Sequence, residues 1–380
     1  MSGALIELVA KGAQDAYLTG EPQVSFFHQT YKRHTNFAQK PVPVQYTGTA
    51  VASQQINMKL TNKGDLLSYV WMDLGVGTNT AGTLEDTIFE LYIGGQLIDR
   101  QDGFYMVQLW QKFLLDSSAK GFAGQGDNTN TSTPLNSVLF ATWLPLHFFF
   151  CDSMCYLPLV ALQYHEVEVR ITFGNNITIA GPINIYANYV VLDTAEREAI
   201  VNKEHNLLIE QVQRIESNSP PALSGNNKFD LSFLNHPVKC LLWGSNRTAL
   251  ANKFFSNTVQ LYLNGTELFE KGMPDVYFRT VQNYYHSEFA SILQGNQTGY
   301  TVAVSPSTVA FRGGFNLKMY SFALKANKHQ PCGTCNFSRI DTASLTFGSV
   351  TNAPTNFYLY AVNFNILRIK AGLSGLAFSN

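Results

Sequence analysis

Residues 88–98 read Ile88-Phe89-Glu90-Leu91-Tyr92-Ile93-Gly94-Gly95-Gln96-Leu97-Ile98, a β-branched and aromatic run of the kind that forms strands. Its centre, Leu91-Tyr92-Ile93-Gly94-Gly95, returns as Leu261-Tyr262-Leu263-Asn264-Gly265, at an offset of 261 − 91 = 170. Working outward, three more matches keep the same order. Val70-Trp71 faces Leu242-Trp243 (243 − 71 = 172), and Val167–Phe173 faces Asp341–Phe347 (347 − 173 = 174). Asn188–Leu192 faces Asn363–Leu367 (367 − 192 = 175). An aromatic helix candidate follows each copy of the first match, Phe104–Phe113 and Val276–Tyr285. The slow drift of the offset is what small loop insertions produce, so the chain reads as a duplicated, strand-rich domain of about 170 residues.

Further strands are expected over 42–51, 66–76, 166–173 and 183–192, the third with Val167, Val169 and Ile171 on one face and Glu166, Glu168 and Arg170 on the other. Polar Gly/Asn/Thr/Ser/Pro clusters at 77–83, 117–134 and 174–182 read as loops. Helices are expected over 102–115 and over 194–204, the latter capped by Thr194. Two packed sheets per repeat, as in a sandwich or jelly roll, account for this pattern.

The chain has 380 residues, of which 45% are hydrophobic and only 14% charged, against an average of about 25% charged. Its formal net charge is -1. High hydrophobicity excludes disorder, and the missing Lys/Arg excess argues against a broad nucleic-acid grip. The remaining explanations are a large core and a surface buried against partners. Residues 139–162 are long enough to span a membrane, but Pro145, His147, Asp152 and Pro158 interrupt them. Two buried strands around a turn are expected there. Five cysteines and no signal peptide point to reduced thiols in a cytosolic setting.

The search for chemistry returns nothing. None of the eight histidines sits at ligand spacing, and His165-Glu166 would point to opposite strand faces. Cys332-Gly333-Thr334-Cys335 lacks the second pair that a zinc ribbon needs, and Cys151/Cys155 is a weak spacing. Phosphate loops and nucleophile elbows are absent. No catalytic residue, metal ligand or cofactor is expected, and the chain reads as a non-enzyme.

Long stretches resemble the major capsid proteins of nucleocytoplasmic large DNA viruses. Gly12–Gly20, Pro22, Phe26, Phe27, Tyr31 and Arg33–Phe37 look like that family's N-terminal signature. Leu159–Val167, Leu208–Gln213 and Asn235–Lys239 extend the likeness. The strongest stretches are Tyr320–Lys325 and His329–Asp341, and Gly372–Ala377 resembles family ends. Cys332 stands where many relatives have Ser.

The resemblance implies an all-β fold of two tandem eight-stranded jelly-roll barrels, a double jelly roll with short helices in its loops. It divides the chain into an N-terminal base arm (1–40), a first jelly roll (41–193), a linker (194–207) and a second jelly roll (208–380). It implies a homotrimer, whose pseudo-hexagonal capsomers tile an icosahedral virion shell around a large dsDNA genome, assembled in the host cytoplasm. Expected partners are other copies of the chain, minor capsid proteins and an internal membrane at the capsomer base, with no sequence-specific nucleic-acid contact. Loops 117–134 and 295–299 are expected to form a modest outer surface. The apolar run Ala4, Leu5, Ile6, Leu8 and Val9 is either a docking arm under the capsomer or an element packed on its own barrel. A minor or vertex capsid protein would more often carry one jelly roll, and a double-barrel carbohydrate-binding or metal-dependent enzyme would need the missing His/Glu cluster.

Overall fold

The structure is a computed structural model of the 380-residue chain. It describes residues 3–29, 31–73, 80–82, 84, 86–115, 143–152, 155–175, 177–179, 183–216, 228–245, 255–256, 258–287, 301–304, 307–310, 317–348, 350–351 and 357–378. The expected loops 117–134 and 295–299, and the end of the expected strand 66–76, lie outside the described residues. Two units result, Met1–Asn36 and Phe37–Asn380. In the first, short helices span Gly3–Val9 and Ala16–Thr19, and neither contains a buried residue.

The second unit holds two pairs of antiparallel sheets. The first sheet runs β1 (Phe37–Val44), β12 (Asn184–Leu192), β4 (Leu66–Asp73) and β8 (Trp143–Pro145), with β9 (Leu157–Pro158) also on β4. Facing it are β2 (Tyr46–Gly48), β3 (Gln55–Lys59), β10 (Val167–Thr172), β6 (Ile88–Ile93) and β7 (Gln96–Asp102), in that order. A small ladder joins β11 (Ile177–Ile179) to β5 (Thr80–Gly82).

The second barrel repeats this plan. One sheet runs β13 (His205–Glu216), β26 (Phe357–Lys370), β15 (Pro237–Ser245) and β22 (Lys318–Ser321); β23 (Cys335–Asn336) and β27 (Leu373–Leu376) add to it. The other runs β14 (Lys228–Asp230), β24 (Ala343–Phe347), β17 (Thr258–Leu263) and β18 (Thr266–Glu267), with β19 (Met273–Pro274) on β17. Two-stranded ladders pair β16 (Phe255–Ser256) with β25 (Val350–Thr351), and β20 (Thr301–Val304) with β21 (Ser307–Ala310). This is the double jelly roll.

Strand alternation builds the cores. On β10, Val167, Val169 and Ile171 are buried while Glu168 and Arg170 lie on the outer face. Ile56, Met58, Phe89, Leu91, Val70, Met72 and Ile185 join them in the first core. Leu241, Trp243, Val259, Leu261, Phe278, Leu345 and Leu359 fill the second. Each such side chain contributes about 1.5–3 kcal/mol on burial.

The run 88–98 proves to be a hairpin and not one strand. Gly94 and Gly95 have φ of 58 and 79°, and Asn264 and Gly265 have 49 and 77°. Two successive positive φ values define the tight turn whose twist matches paired strands. The repeat recognised in the sequence is therefore the same hairpin made twice.

Three other expectations shift. Trp71 and Trp243 are not equivalent: Trp243 is fully buried in the second core, whereas Trp71 faces outward and stacks on Tyr186 at 4.5 Å. The cross-strand pairs fix the true correspondence, because Val70–Ala187 matches Leu241–Ala361 and Trp71–Tyr186 matches Leu242–Tyr360. The offset here is 171 (242 − 71), and the slip of one residue puts the two tryptophans on opposite faces.

The linker helix is Thr194–Val201, capped by Asp193, whose Oδ1 accepts the Thr194 N–H at 2.8 Å. A carboxylate at this position suits the partial positive charge of a helix start. Both aromatic helix candidates contain a π-helical turn, Tyr105–Leu109 and Tyr277–Val281, that leads into α-helix at Trp110–Phe113 and Gln282–His286. Within 139–162, the described residues form the two short strands β8 and β9, separated by the 3-10 turn Phe149–Cys151 and followed by another, Leu159–Ala161. No helix among the described residues is long and apolar enough to cross a membrane.

Candidate functional site: the seam between the barrels

Strand β7 and the helical insert after it carry the first barrel onto the second. Phe104, Tyr105, Leu109, Phe113 and Leu114 bury against Cys240, Leu242, Met319, Tyr360 and Val362. The Phe104 and Tyr105 rings lie 6.2 and 5.6 Å from Tyr360. These contacts cover the face of β26 and β15 opposite the second core, so that sheet is buried on both sides.

A chain of buried polar groups crosses the same seam. Asp102 accepts the Tyr105 N–H at 2.8 Å and the Tyr360 hydroxyl at 2.7 Å, and Arg214 Nη1 lies 2.6 Å from its Oδ2. The Arg214 guanidinium also covers the Tyr358 ring at 4.6 Å. Burial, reinforced by the Asp102 charge, holds the Tyr360 phenol well above its usual range. Asp99 accepts N–H groups from Arg100 and Val212, each at 3.0 Å, and the Gln101 amide at 2.7 Å. Burial nonetheless dominates these donors and pushes its carboxyl up to about 6.

A second charged cluster sits alongside. Glu210 is 2.5 Å from Lys239 Nζ and 3.5 Å from His329 Nδ1. Burial alone would raise Glu210, but Lys239 and His329 outweigh it and hold the carboxyl below its usual value. Burial alone would lower His329, but hydrogen bonds and charge from Cys155 and Glu210 push it up to about 10. The imidazolium donates from Nε2 to the Leu208 carbonyl at 3.0 Å. Breaking a buried pair of this kind costs about 3–5 kcal/mol, whereas replacing both partners by apolar groups is often nearly neutral.

The C-terminal strand closes the seam from the other side. Tyr164 N–H donates to the Gly372 carbonyl, and Ser374 N–H donates to His165 Nδ1, both at 3.0 Å. Accepting that hydrogen bond requires an unprotonated Nδ1.

The residues singled out from the sequence lie elsewhere. Ala4, Leu5, Ile6, Leu8 and Val9 share the helix Gly3–Val9, and Val9 is 75% exposed. All five cysteines are free thiols. Cys332 Sγ accepts the Lys325 N–H at 3.2 Å, and burial pushes the Cys240 thiol up to about 12, which suppresses thiolate chemistry there. Among the described residues no group of three or more His, Cys, Asp or Glu side chains could hold a metal ion. The aromatic content of the sequence suits a filled seam, but no spacing singles out its members, which stand up to 258 residues apart. A second sequence signal for it was the pairing of a duplicated domain with too few charges to leave its walls polar.

Two family models match the chain, the large eukaryotic DNA virus major capsid protein over residues 196–375 and the major capsid protein N-terminus over 25–203. The major capsid protein of Pyramimonas orientalis virus is 34% identical over 407 residues, covering 100% of both chains. That of Paramecium bursaria Chlorella virus 1 is 30% identical over 465 residues, again covering 100% of both. Among solved structures, a chain of the PBCV-1 virus capsid superposes with a TM-score of 0.72 at 26% identity, covering 94% of this chain and 100% of that one. The Faustovirus major capsid protein shares the fold, with a TM-score of 0.64 at 11% identity over 97% and 96%.

Proposed function

The chain belongs to the major capsid proteins of large eukaryotic DNA viruses, and from that membership we propose that three copies close into a pseudo-hexagonal capsomer of six barrels. It is a structural protein of the virion shell. The observation that carries the trimeric reading is the seam. Two barrels locked by an apolar strip and matched buried charges form one block suited to tiling. Stable assemblies of this kind gain strength from many modest contacts repeated across the shell.

The finer parts of the reading follow the same logic. Residues 41–193 and 208–380 are the two tiling barrels, with 194–207 as their linker. The arm, through Ala4, Leu5, Ile6, Leu8 and Val9, engages minor capsid proteins or an internal membrane at the capsomer base, since exposed apolar side chains gain by burial. The role is architectural and not catalytic, and the shell assembles in the host cytoplasm. With a net charge of -1, the chain encloses the genome as a container while other components hold the nucleic acid.

Electron microscopy of the purified protein tests the reading. Hexagonal outlines or arrays are expected, and dispersed single-chain particles would contradict it. Deleting residues 2–11 should leave capsomers folded and abolish their joining into shells. Loss of capsomers in that deletion would remove the docking role of the arm.

A further inference from the structure

The helical insert occurs twice, and its two copies have different surroundings. Matching inward residues sets the correspondence: Met106 in the first core and Phe278 in the second are both fully buried (278 − 106 = 172). At that offset Phe104, Leu109 and Phe113 correspond to Val276, Val281 and Tyr285. The first three are buried in the seam at 1, 0 and 0% exposure. Their counterparts are open: Val276 is 46% and Tyr285 67% exposed, and Val281 is half-buried.

The receiving surface is also duplicated. In the second barrel the outward residues Cys240, Leu242 and Tyr360 are fully buried beneath the first insert. The cross-strand pairs place Tyr69, Trp71 and Tyr186 at the same positions in the first barrel. There Tyr69 is 43% exposed, and Trp71 and Tyr186 are half-buried. The opposite outer wall of that barrel is unsuited to apolar docking. Its Glu168 pairs with Arg170 at 3.1 Å and Arg100 lies 3.5 Å from Glu90, a ladder of satisfied charges.

Among the described residues each chain thus carries one filled insert-on-sheet contact, one unfilled insert and one unfilled sheet. We infer that the second-barrel insert, through Val276, Val281 and Tyr285, docks on Tyr69, Trp71 and Tyr186 of another copy of this chain, repeating the internal seam between chains. The contact is head-to-tail, so it propagates in one direction around a ring and closes when the rotation per barrel completes a circle. The ring size of three chains rests on the proposed function above, whereas the surfaces rest on the repeated geometry alone.

The test uses the full-length chain and two variants, Tyr285→Arg on the insert and Trp71→Arg on the sheet, weighed by sedimentation. A desolvated arginine on either surface is costly. Each variant alone is expected to fall from the wild-type oligomer to the 42.3 kDa single chain while keeping its circular dichroism spectrum. Mixed together, they retain one intact insert and one intact sheet between them, and should form a one-to-one complex that grows no further. Val276→Arg and Tyr186→Arg form a second pair, used if either first variant misfolds. Variants that keep the wild-type mass, or a mixture that stays single-chain, would overturn the interface while leaving the capsomer reading intact. A wild-type protein that is itself single-chain would overturn both.

Discussion

The first barrel places Met72 and Met106 where the second places Trp243 and Phe278. The strand pairing and the inward phase are the same at these sites, yet the fillings differ. The first core is mostly aliphatic, with Ile56, Met58, Leu91, Val169, Ile171 and Ile185, and its rings, such as Phe89, Phe150 and Phe173, are a minority of the cluster. Around Trp243 it is built from rings, with Phe278 at 5.3 Å from the indole and Phe269 and Tyr320 at 5.7 and 6.3 Å from Phe278. The second barrel also buries an ion pair, Lys318 Nζ at 3.1 Å from Asp275 Oδ1, with exposures of 0 and 3%. Burial holds the Lys318 ammonium below its usual range despite the nearby carboxylate. Flexible methionines adapt to irregular gaps, whereas stacked rings impose one arrangement. Duplication therefore preserved the ladder and its phase while the two interiors diverged in volume and rigidity.

The largest expected effect separates the two fillings directly. Trp243→Ala should cost about 3–5 kcal/mol, because the ring cluster cannot collapse into the void. Met72→Ala should fall at the low end of its class, about 2–3 kcal/mol, since flexible neighbours relax. Urea denaturation of both variants measures the difference, and equal losses would break the contrast.

Next comes the buried ion pair. Lys318→Met leaves Asp275 buried with Arg279 Nη1, at 4.0 Å, as its nearby cation and should cost about 3 kcal/mol, part of which the double variant with Asp275→Leu should recover. Arg214→Met at the seam should cost less, about 1.5–3 kcal/mol, because Arg214 is 25% exposed. Thermal melts rank the three, and a seam variant more damaging than Lys318→Met would reverse the ordering.

The seam should also respond to pH. His329 is raised from 6.5 to about 10, so its contribution is complete below 6.5 and is lost as pH climbs through about 10. Asp99 is raised from 3.8 to about 6, so its contribution is complete below 3.8 and is lost as pH rises from there through about 6. Glu210, held below 4.5, supplies stability that fails only further into acid. The melting temperature should therefore peak near pH 4.5 and decline from there toward 10, with His329→Gln flattening the alkaline fall. A melting temperature rising from pH 7 to 10 would contradict these assignments.

The smallest effect compares the two hairpin turns. A Cβ on Gly94 would meet the His165 ring, so Gly94→Ala combines a clash with positive-φ strain. It should cost about 1–2 kcal/mol. Asn264 tolerates its positive φ, and its Oδ1 accepts N–H groups from Asp341 and Thr342 at 3.0 and 3.2 Å. Asn264→Gly should lose only those bonds, about 1 kcal/mol.

Much of the fold was legible because the hairpin signal is local. Leu91–Gly95 and Leu261–Gly265 carry both the strand alternation and the turn residues within a few positions. The correspondence of Trp71 with Trp243 misled, because a shared residue type outweighed the alternation that assigns faces. Thr194 looked like a cap because hydroxyls often are, yet Asp193 one residue earlier supplies the acceptor. The scarcity of charge points to a large core and to walls that meet other walls. In the structure several of the charges, Asp99, Asp102, Lys239, Asp275 and Lys318, are themselves buried. No spacing announces such groups, since their partners come from distant strands that only the folded topology brings together.

We propose above that this double barrel exists as a closed assembly of its own copies. Light scattering on the size-fractionated full-length chain near neutral pH tests it most directly. A single species at three times the 42.3 kDa chain mass is expected. A folded protein that stays at one chain mass across the accessible concentration range would contradict it.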